Sequence, residues 1–337
     1  MFKKILSVVA LTAVTVSVAF AAPMLINGAG ATFPYPIYSK WFDVYSTINP
    51  DARFNYQSIG SGGGIKQITT GTVDFGATDG PMTDQQLAEA PGRIFHLPMV
   101  MGAVVVAYNV PGVETELKFT ADALADIFLG KITKWNDAKI ASANPGIQIP
   151  DMPIIVAHRS DGSGTTYIWV DYLCAVSGDW KLKIGKGTSV NWPVGLGGKG
   201  NEGVAGIVKQ TPGSIGYAEL SYAVKNGLSY GLVQNKSGNF IKPTLESTSL
   251  AASGVVIPSD FRVSLVNSAN AQSYPISGFT WLLIYKNQKD PVKGKMLVDF
   301  IRWAIHEGQA YADDLLYAPL PKDVVAIIEK KLEEVKY

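Results

Sequence analysis

The chain has 337 residues, 47% of them hydrophobic, with 29 lysines and arginines against 28 aspartates and glutamates for a formal net charge of +1. A balance this even excludes a surface that holds nucleic acid or anionic lipid by bulk charge, so any anion-binding chemistry has to be local. The length suffices for two ordinary hydrophobic cores, and the lone Cys174 leaves no intrachain disulfide to expect.

Lys3 and Lys4 precede an uncharged apolar run from Ile5 to Phe20, and Ala19-Phe20-Ala21 fits the small-x-small cleavage pattern. Residues 1–21 are therefore expected to be a signal peptide. Thr12, Thr15 and Ser17 dilute the run and no basic stop follows it, which argues against a membrane anchor. Cleavage removes two of the basic residues and none of the acidic ones, so the mature chain from Ala22 carries a formal charge of −1. It is expected outside the cytoplasmic membrane, without direct membrane insertion.

In chain order, Asn27-Gly28-Ala29-Gly30-Ala31-Thr32-Phe33-Pro34 supplies glycines that let backbone bend close to a ligand, and places Thr32 to cap a helix over about 34–45. Taken alone, an ordinary cap and turn is the plainer reading of that segment. Gly60-Ser61-Gly62-Gly63-Gly64 lies between an expected strand (54–59) and helix (65–70). It reads as a flexible loop or, with Ser61 as donor, as an anion cradle at a helix start. Asp79 follows a short strand in a turn, where a cap or Asx turn is the plainer role. The β-branched runs 100–109 and 278–285 are expected to be strands passing between two lobes. On that basis lobe I is residues 22–105 with 280–337, lobe II is 106–279, and a ligand cleft lies between them.

The most informative stretch is Arg159-Ser160-Asp161-Gly162-Ser163-Gly164-Thr165-Thr166, between an apolar strand (154–157) and a helix (167–176). A Ser/Gly/Thr turn at a helix start offers free N–H groups, hydroxyl donors and the positive dipole end, and Arg159 adds a permanent charge. His158 next to it alternates to the other side of the strand and is read as structural. Gly195-Leu196-Gly197-Gly198-Lys199-Gly200 matches the dinucleotide pattern but follows no strand, and Gly227-Leu228-Ser229-Tyr230-Gly231 matches the hydrolase elbow in the wrong context; both are read as chance. With only His96, His158 and His306 and no metal-ligand spacing, a metal is not expected. Residues 292–308 and 322–335 read as amphipathic helices with solvated charges.

Asp79 and Asp161 look misplaced beside an anion, since a carboxylate only accepts hydrogen bonds. Against an oxyanion that keeps a proton near neutral pH, the same carboxylate accepts a short O–H···O⁻ bond. Phosphate keeps such a proton and sulfate does not, so Asp79 reads as the element that excludes sulfate. Asp161 either shares that role or orients Arg159.

These residues carry a resemblance. The blocks GAGATFP (28–34), IGSGGG (59–64), VDFGATDGP (73–81), RSDGSGTT (159–166) and WPVGLGGKGNEGV (192–204) occur in one order, and the chain resembles the periplasmic phosphate-binding proteins of high-affinity phosphate ABC importers. The resemblance implies an α/β, two-lobed periplasmic-binding-protein (type II) fold, each lobe a mixed sheet flanked by helices, with two hinge strands. It implies phosphate contacts from Thr32, the Phe33 backbone N–H, Ser61, Asp79, Arg159, Asp161, Ser163, Gly164 and Thr165. It implies a monomer that delivers inorganic phosphate to membrane permease subunits, without catalysis, cofactor or nucleic acid. His158 stands where the family often has a second Arg, and Gly62 where it has a second Ser. The competing readings are a secreted phosphatase using Ser163 and His158, and a receptor for another tetrahedral oxyanion.

Overall fold

A computed structural model describes residues 23–337. The expected signal peptide, residues 1–21, lies outside the described residues. In chain order the elements that build the molecule are β1 (Met24–Gly30), α1 (Tyr35–Ile48), β2 (Ala52–Ser58), α2 (Ser61–Thr69), β3 (Phe75–Thr78) and β4 (Ile94–Asn109). There follow β5 (Ile155–Arg159), α3 (Gly164–Val176), β6 (Leu196–Gly198), α4 (Gly200–Gln210), β7 (Ser214–Glu219) and α5 (Leu220–Lys225). The chain ends through β8 (Ser229–Tyr230), β9 (Ser277–Tyr285), α6 (Pro291–Ile305) and α7 (Lys322–Leu332).

These nine strands form one mixed ladder in the order β2-β1-β3-β9-β4-β7-β5-β6, with β8 added to β4, and a separate small sheet pairs Lys118–Phe119, Leu232–Gln234 and Phe240–Ile241. β1 runs parallel to β2 and β3, and β5 parallel to β6 and β7, while the central β9–β4 pair is antiparallel. β4 changes partner midway. Ile94 to Ala103 pairs with β9, and Val104 to Asn109 pairs with β7. One continuous strand thus joins the β1 side of the molecule to the β5 side, in a two-lobed α/β architecture. Every residue of β9 is buried, and so is all of β4 but Asn109, which is why both read as unbroken apolar runs rather than alternating ones.

β4 begins six residues before the run that announces it, because His96 and Pro98 interrupt the apolar pattern. His96 Nε2 accepts from the Met82 amide at 3.1 Å, and burial lowers its pKa to about 3, so the ring stays neutral. Pro98 lies opposite Trp281, beside the register shift at Thr280/Trp281, where a missing ladder donor is tolerated.

Helix α2 also starts earlier than expected, at Ser61 rather than Ile65, so the glycines form its first turn instead of a loop. Packing is the reason. A Cβ on Gly64 would lie 2.6 Å from the Gly30 Cα and 2.7 Å from the Ala77 carbonyl, so only glycine lets this turn press on β1 and β3. α3 likewise starts at Gly164, capped by Ser163 Oγ, which accepts from the Thr166 amide at 3.0 Å.

Aromatic stacks fill the space behind each sheet half. On the β1 side Phe54 packs on Phe42 (5.0 Å) and Phe300 (4.5 Å). On the β5 side Trp169 stacks on Tyr217 at 5.1 Å, and His158 lies flat on Trp192 at 4.8 Å. Among the described residues no helix is long and apolar enough to cross a membrane.

Candidate functional site

Four helix starts meet at one place. α2 and α3 touch through Ser61 Oγ, which accepts from the Gly164 amide (3.0 Å) and the Asp79 amide (3.3 Å). α4 reaches the segment before α1 through Asn201, whose Nδ2 donates to Thr32 Oγ1 (2.8 Å) and Thr165 Oγ1 (3.1 Å). Each helix brings first-turn N–H groups and a positive dipole end, so the meeting point is electropositive before any side-chain charge is counted, although the Gly62, Gly164, Gly200 and Asn201 amides are bonded to protein acceptors. Thr32, Ser61, Asp79, Arg159, Ser163, Thr165 and Asn201 are all at most 3% exposed. The electrostatics here therefore act with little water to screen them.

Arg159 is placed by the aromatic stack beneath it. Its amide donates to the Tyr217 hydroxyl at 3.1 Å, and that hydroxyl shares a proton with Thr166 Oγ1 at 2.7 Å. The guanidinium grips Asp161 with Nε on Oδ1 (2.8 Å) and Nη2 on Oδ2 (2.6 Å). Oδ1 also accepts from the Gly200 amide at 3.0 Å. Burial pushes the Asp161 pKa up, but the Arg159 bonds and charge outweigh it and hold the carboxyl below its usual range. Of the two roles open to Asp161, the structure supports orienting Arg159.

Asp79 differs. It follows β3, is 1% exposed, and its Oδ1 accepts from the Thr280 hydroxyl at 2.9 Å. Burial pushes its pKa up to about 7, against the opposing pull of Thr280, the Arg159 charge, the Ser61 hydroxyl and the Thr165 amide. A buried carboxyl without its own ion-pair partner, ringed by donors, titrates near neutral pH. Thr78 makes the turn instead, its Oγ1 accepting from the Gly80 amide at 3.1 Å, so the plain Asx-turn role for Asp79 does not hold.

The structure brings together Thr32, Ser61, Asp79, Arg159, Asp161, Gly164 and Thr165 in three hydrogen-bonded groups that adjoin through the chain neighbours Gly164–Thr165 and Gly200–Asn201, with Ser163 capping the helix that carries two of them. Phe33 is buried next to Thr32, its carbonyl accepting from the Tyr317 hydroxyl at 2.6 Å. One role needs correction: Thr32 does not cap α1. Pro34 occupies that position without a side-chain bond, because the Thr32 hydroxyl is taken by Asn201. Sequence reasoning also missed Asn201, Glu219, Thr280 and Tyr222, the last donating to the Thr32 carbonyl at 2.6 Å. Asn201 lay inside a quoted block, directly after a glycine at a helix start; Glu219 and Thr280 sit at a strand end or inside a strand, with no local signal. His158 is engaged by Trp192 and, through Nδ1, by the Arg159 carbonyl at 3.0 Å, while Ser163 Oγ caps α3 by accepting from the Thr166 amide. Chemically the site combines hydroxyl, amide and guanidinium donors with two buried carboxyls that have no ion-pair partner among the described residues, Asp79 and, one layer behind it, Glu219.

A PBP superfamily domain model matches residues 17–307. The phosphate-binding protein PstS of Xylella fastidiosa (strain 9a5c) is 47% identical over 307 residues, covering 90% of this chain and 84% of the relative. That of Haemophilus influenzae is 44% identical over 315 residues, covering 93% of each. Among solved structures, a high affinity periplasmic phosphate-binding protein (PfluDING) bound with phosphate at pH 8.5 superposes with a TM-score of 0.74 at 20% identity, over 91% of this chain and 93% of the other.

Proposed function

From the premise that this chain belongs to the phosphate-binding protein family of the PBP superfamily, we propose that it is an exported, periplasmic receptor that binds inorganic phosphate in preference to sulfate. It hands phosphate to the permease of an ABC importer and acts as a monomer. Phosphate contacts are assigned to Thr32, the Phe33 amide, Ser61, Asp79, Arg159, Ser163, Gly164 and Thr165, with Asp161 holding Arg159.

One observation carries the selectivity: an otherwise donor-lined cradle contains Asp79, buried and free of an ion-pair partner. A phosphate oxygen bearing hydrogen completes its hydrogen bonds. A sulfate oxygen faces it with lone pairs alone, which in a dry site costs the bond and adds repulsion. The lobes assigned to residues 22–105 with 280–337 and to 106–279 close over the ligand, a motion supported by the partner change of β4 between Ala103 and Val104.

The test is calorimetric titration of the purified mature protein with phosphate and with sulfate at neutral and mildly alkaline pH. Saturable phosphate binding with sulfate weaker by about a hundredfold or more is expected. Equal affinity for both anions overturns the selectivity, and no phosphate binding overturns the function.

A further inference from the structure

We infer that a cavity beside the start of β4 is a second ligand site, built for a small organic monocarboxylate and made of residues outside the phosphate cluster. It measures about 270 Å³, close to the lower end of small-molecule sites, and lies between the start of β4, helix α7, the short helix Asp84–Glu89 and residues 259–262. The inference does not depend on what the cleft binds. His96 supplies the first donor. It is 3% exposed, and its Nε2 is occupied by the Met82 amide, so in the neutral ring the hydrogen sits on Nδ1. Nδ1 has no hydrogen-bond partner among the described residues, and His96 lines the cavity. A buried N–H without an acceptor costs free energy that a ligand oxygen recovers. Arg262 grips Met82 from its other end, with Nη1 donating to the Met82 carbonyl at 3.0 Å, so the partner that holds the ring is itself held.

Charge decides the class of ligand. Of the cations lining the cavity, Arg262 is paired with Asp84 (2.7 Å) and Asp260 (2.9 Å), and Lys331 with Glu334 (2.8 Å). Arg93 makes no ion pair among the described residues. Its guanidinium lies over the Phe95 ring, 5.4 Å from the centroid, which holds the group by its face and leaves its N–H edge free. One uncommitted charge, carried by a forked donor beside a single N–H, matches a carboxylate with its one charge and two oxygens. A phosphate dianion would be left half neutralised. Asp260 also lines the cavity, but Arg262 takes both its oxygens, with Nε on Oδ2 and the amide on Oδ1 (3.2 Å). Leu87, Ile94 and Phe261 make the remaining wall apolar, so the ligand carries a hydrocarbon body that an inorganic anion lacks.

The test is calorimetric titration with benzoate, and with benzamide as its uncharged counterpart, in excess inorganic phosphate so that the cleft is filled. Saturable one-to-one binding of benzoate is expected, with benzamide weaker by about tenfold or more. Arg93→Ala is expected to lower benzoate affinity by about tenfold and to leave phosphate affinity unchanged. The place is read from the ring nitrogen resonances of isotope-labelled histidine: of His96, His158 and His306, only His96 should respond to benzoate, through Nδ1. Absence of saturable benzoate binding, benzamide bound equally well, Arg93→Ala within about twofold of the unsubstituted protein, or a stationary His96 signal each overturns the inference. If Arg93→Ala does not fold, Leu87→Glu decides. It sets a carboxylate against the ligand's own from a half-buried position, so retained benzoate affinity overturns the inference. A protein that binds benzoate with these Arg93 and His96 signatures but takes up no phosphate overturns the proposed function and leaves this inference standing.

Discussion

Asp79 and Glu219 are two carboxyls buried a short distance apart in the protein's hydrogen-bond network, and each has a pH signature. For Asp79, burial raises the pKa from 3.8 to about 7. On the proposed reading it rejects sulfate when ionised above that value, and below it gains a hydrogen that sulfate can accept. Sulfate competition against phosphate is therefore predicted to strengthen as pH falls from about 8.5 to about 6, and Asp79→Asn, neutral throughout, to flatten that dependence and narrow the preference at alkaline pH. Competition calorimetry at several pH values decides it; a wild-type preference independent of pH sinks the idea. For Glu219, burial raises the pKa from 4.5 to about 8, and its Oε1 is buried without a hydrogen-bond partner, which a neutral carboxyl tolerates better than an anion. A raised folded-state pKa means the group's contribution to stability is complete below about 4.5 and is lost as pH rises through about 8. Glu219→Gln should thus match the unsubstituted protein near pH 5 and become progressively more stable relative to it toward pH 9, flattening above about 8. Denaturant unfolding at each pH measures the difference, and a gap that does not widen with pH refutes it. Asp79 was legible in the sequence because an acid among donors is a local contradiction. Glu219 was not, since an acid at a strand end looks solvated until the fold covers it.

At the scale of elements, the site depends on how closely helix starts approach foreign backbone. A Cβ on Gly164 would lie 2.5 Å from the Asp79 amide nitrogen and 2.6 Å from its Cα. That obstacle belongs to the other side of the ladder, while within α3 itself an alanine at this position is a better helix former than glycine. Gly164→Ala is predicted to leave the unliganded protein folded, with an unfolding midpoint unchanged or slightly higher, and to weaken phosphate binding by about a hundredfold or more. Thermal unfolding and calorimetry on the same sample test both halves; unaltered affinity would show that the approach is not required. Gly60 works alike: its φ of +88° and a virtual Cβ 2.3 Å from Asp161 Oδ2 both demand glycine. The strands over 54–59, 100–109, 154–157 and 278–285 and most helices could be read from apolar runs and periodicity, whereas β1, β6, β7 and β8 and the starts of α2 and α3 were not. Glycine carries a poor helix propensity, and the tertiary reason for paying it, a backbone pressed on β1, β3 or Asp79, is invisible in a local window.

Across the whole molecule, closure has to be worth more with ligand than without. Bonds that span the ladder are already numerous: Ser61 Oγ with the Gly164 amide, the Gly62 amide with the Gly162 carbonyl at 2.9 Å, Asn201 with Thr32, and the Tyr222 hydroxyl with the Thr32 carbonyl. Opposing them, closing without an anion strips water from the buried Asp79 carboxyl, which gains only the Thr280 hydroxyl bond in return. On the proposed reading phosphate supplies a partner for Asp79, and its differential affinity for the closed form is what would favour closure. Small-angle scattering of the unliganded protein should accordingly show a larger radius of gyration than the phosphate complex. Ligand at about a hundred times Kd should add about 2.7 kcal/mol to unfolding stability. Because the cost of closing empty resides largely in the Asp79 charge, Asp79→Asn should be more compact than the unsubstituted protein when both are phosphate-free at alkaline pH, and the gap should shrink below about pH 7, where Asp79 takes up its proton. Identical scattering with and without phosphate would mean that the lobes do not move. A phosphate-free Asp79→Asn as open as the unsubstituted protein would place the cost of empty closure on the backbone donors instead.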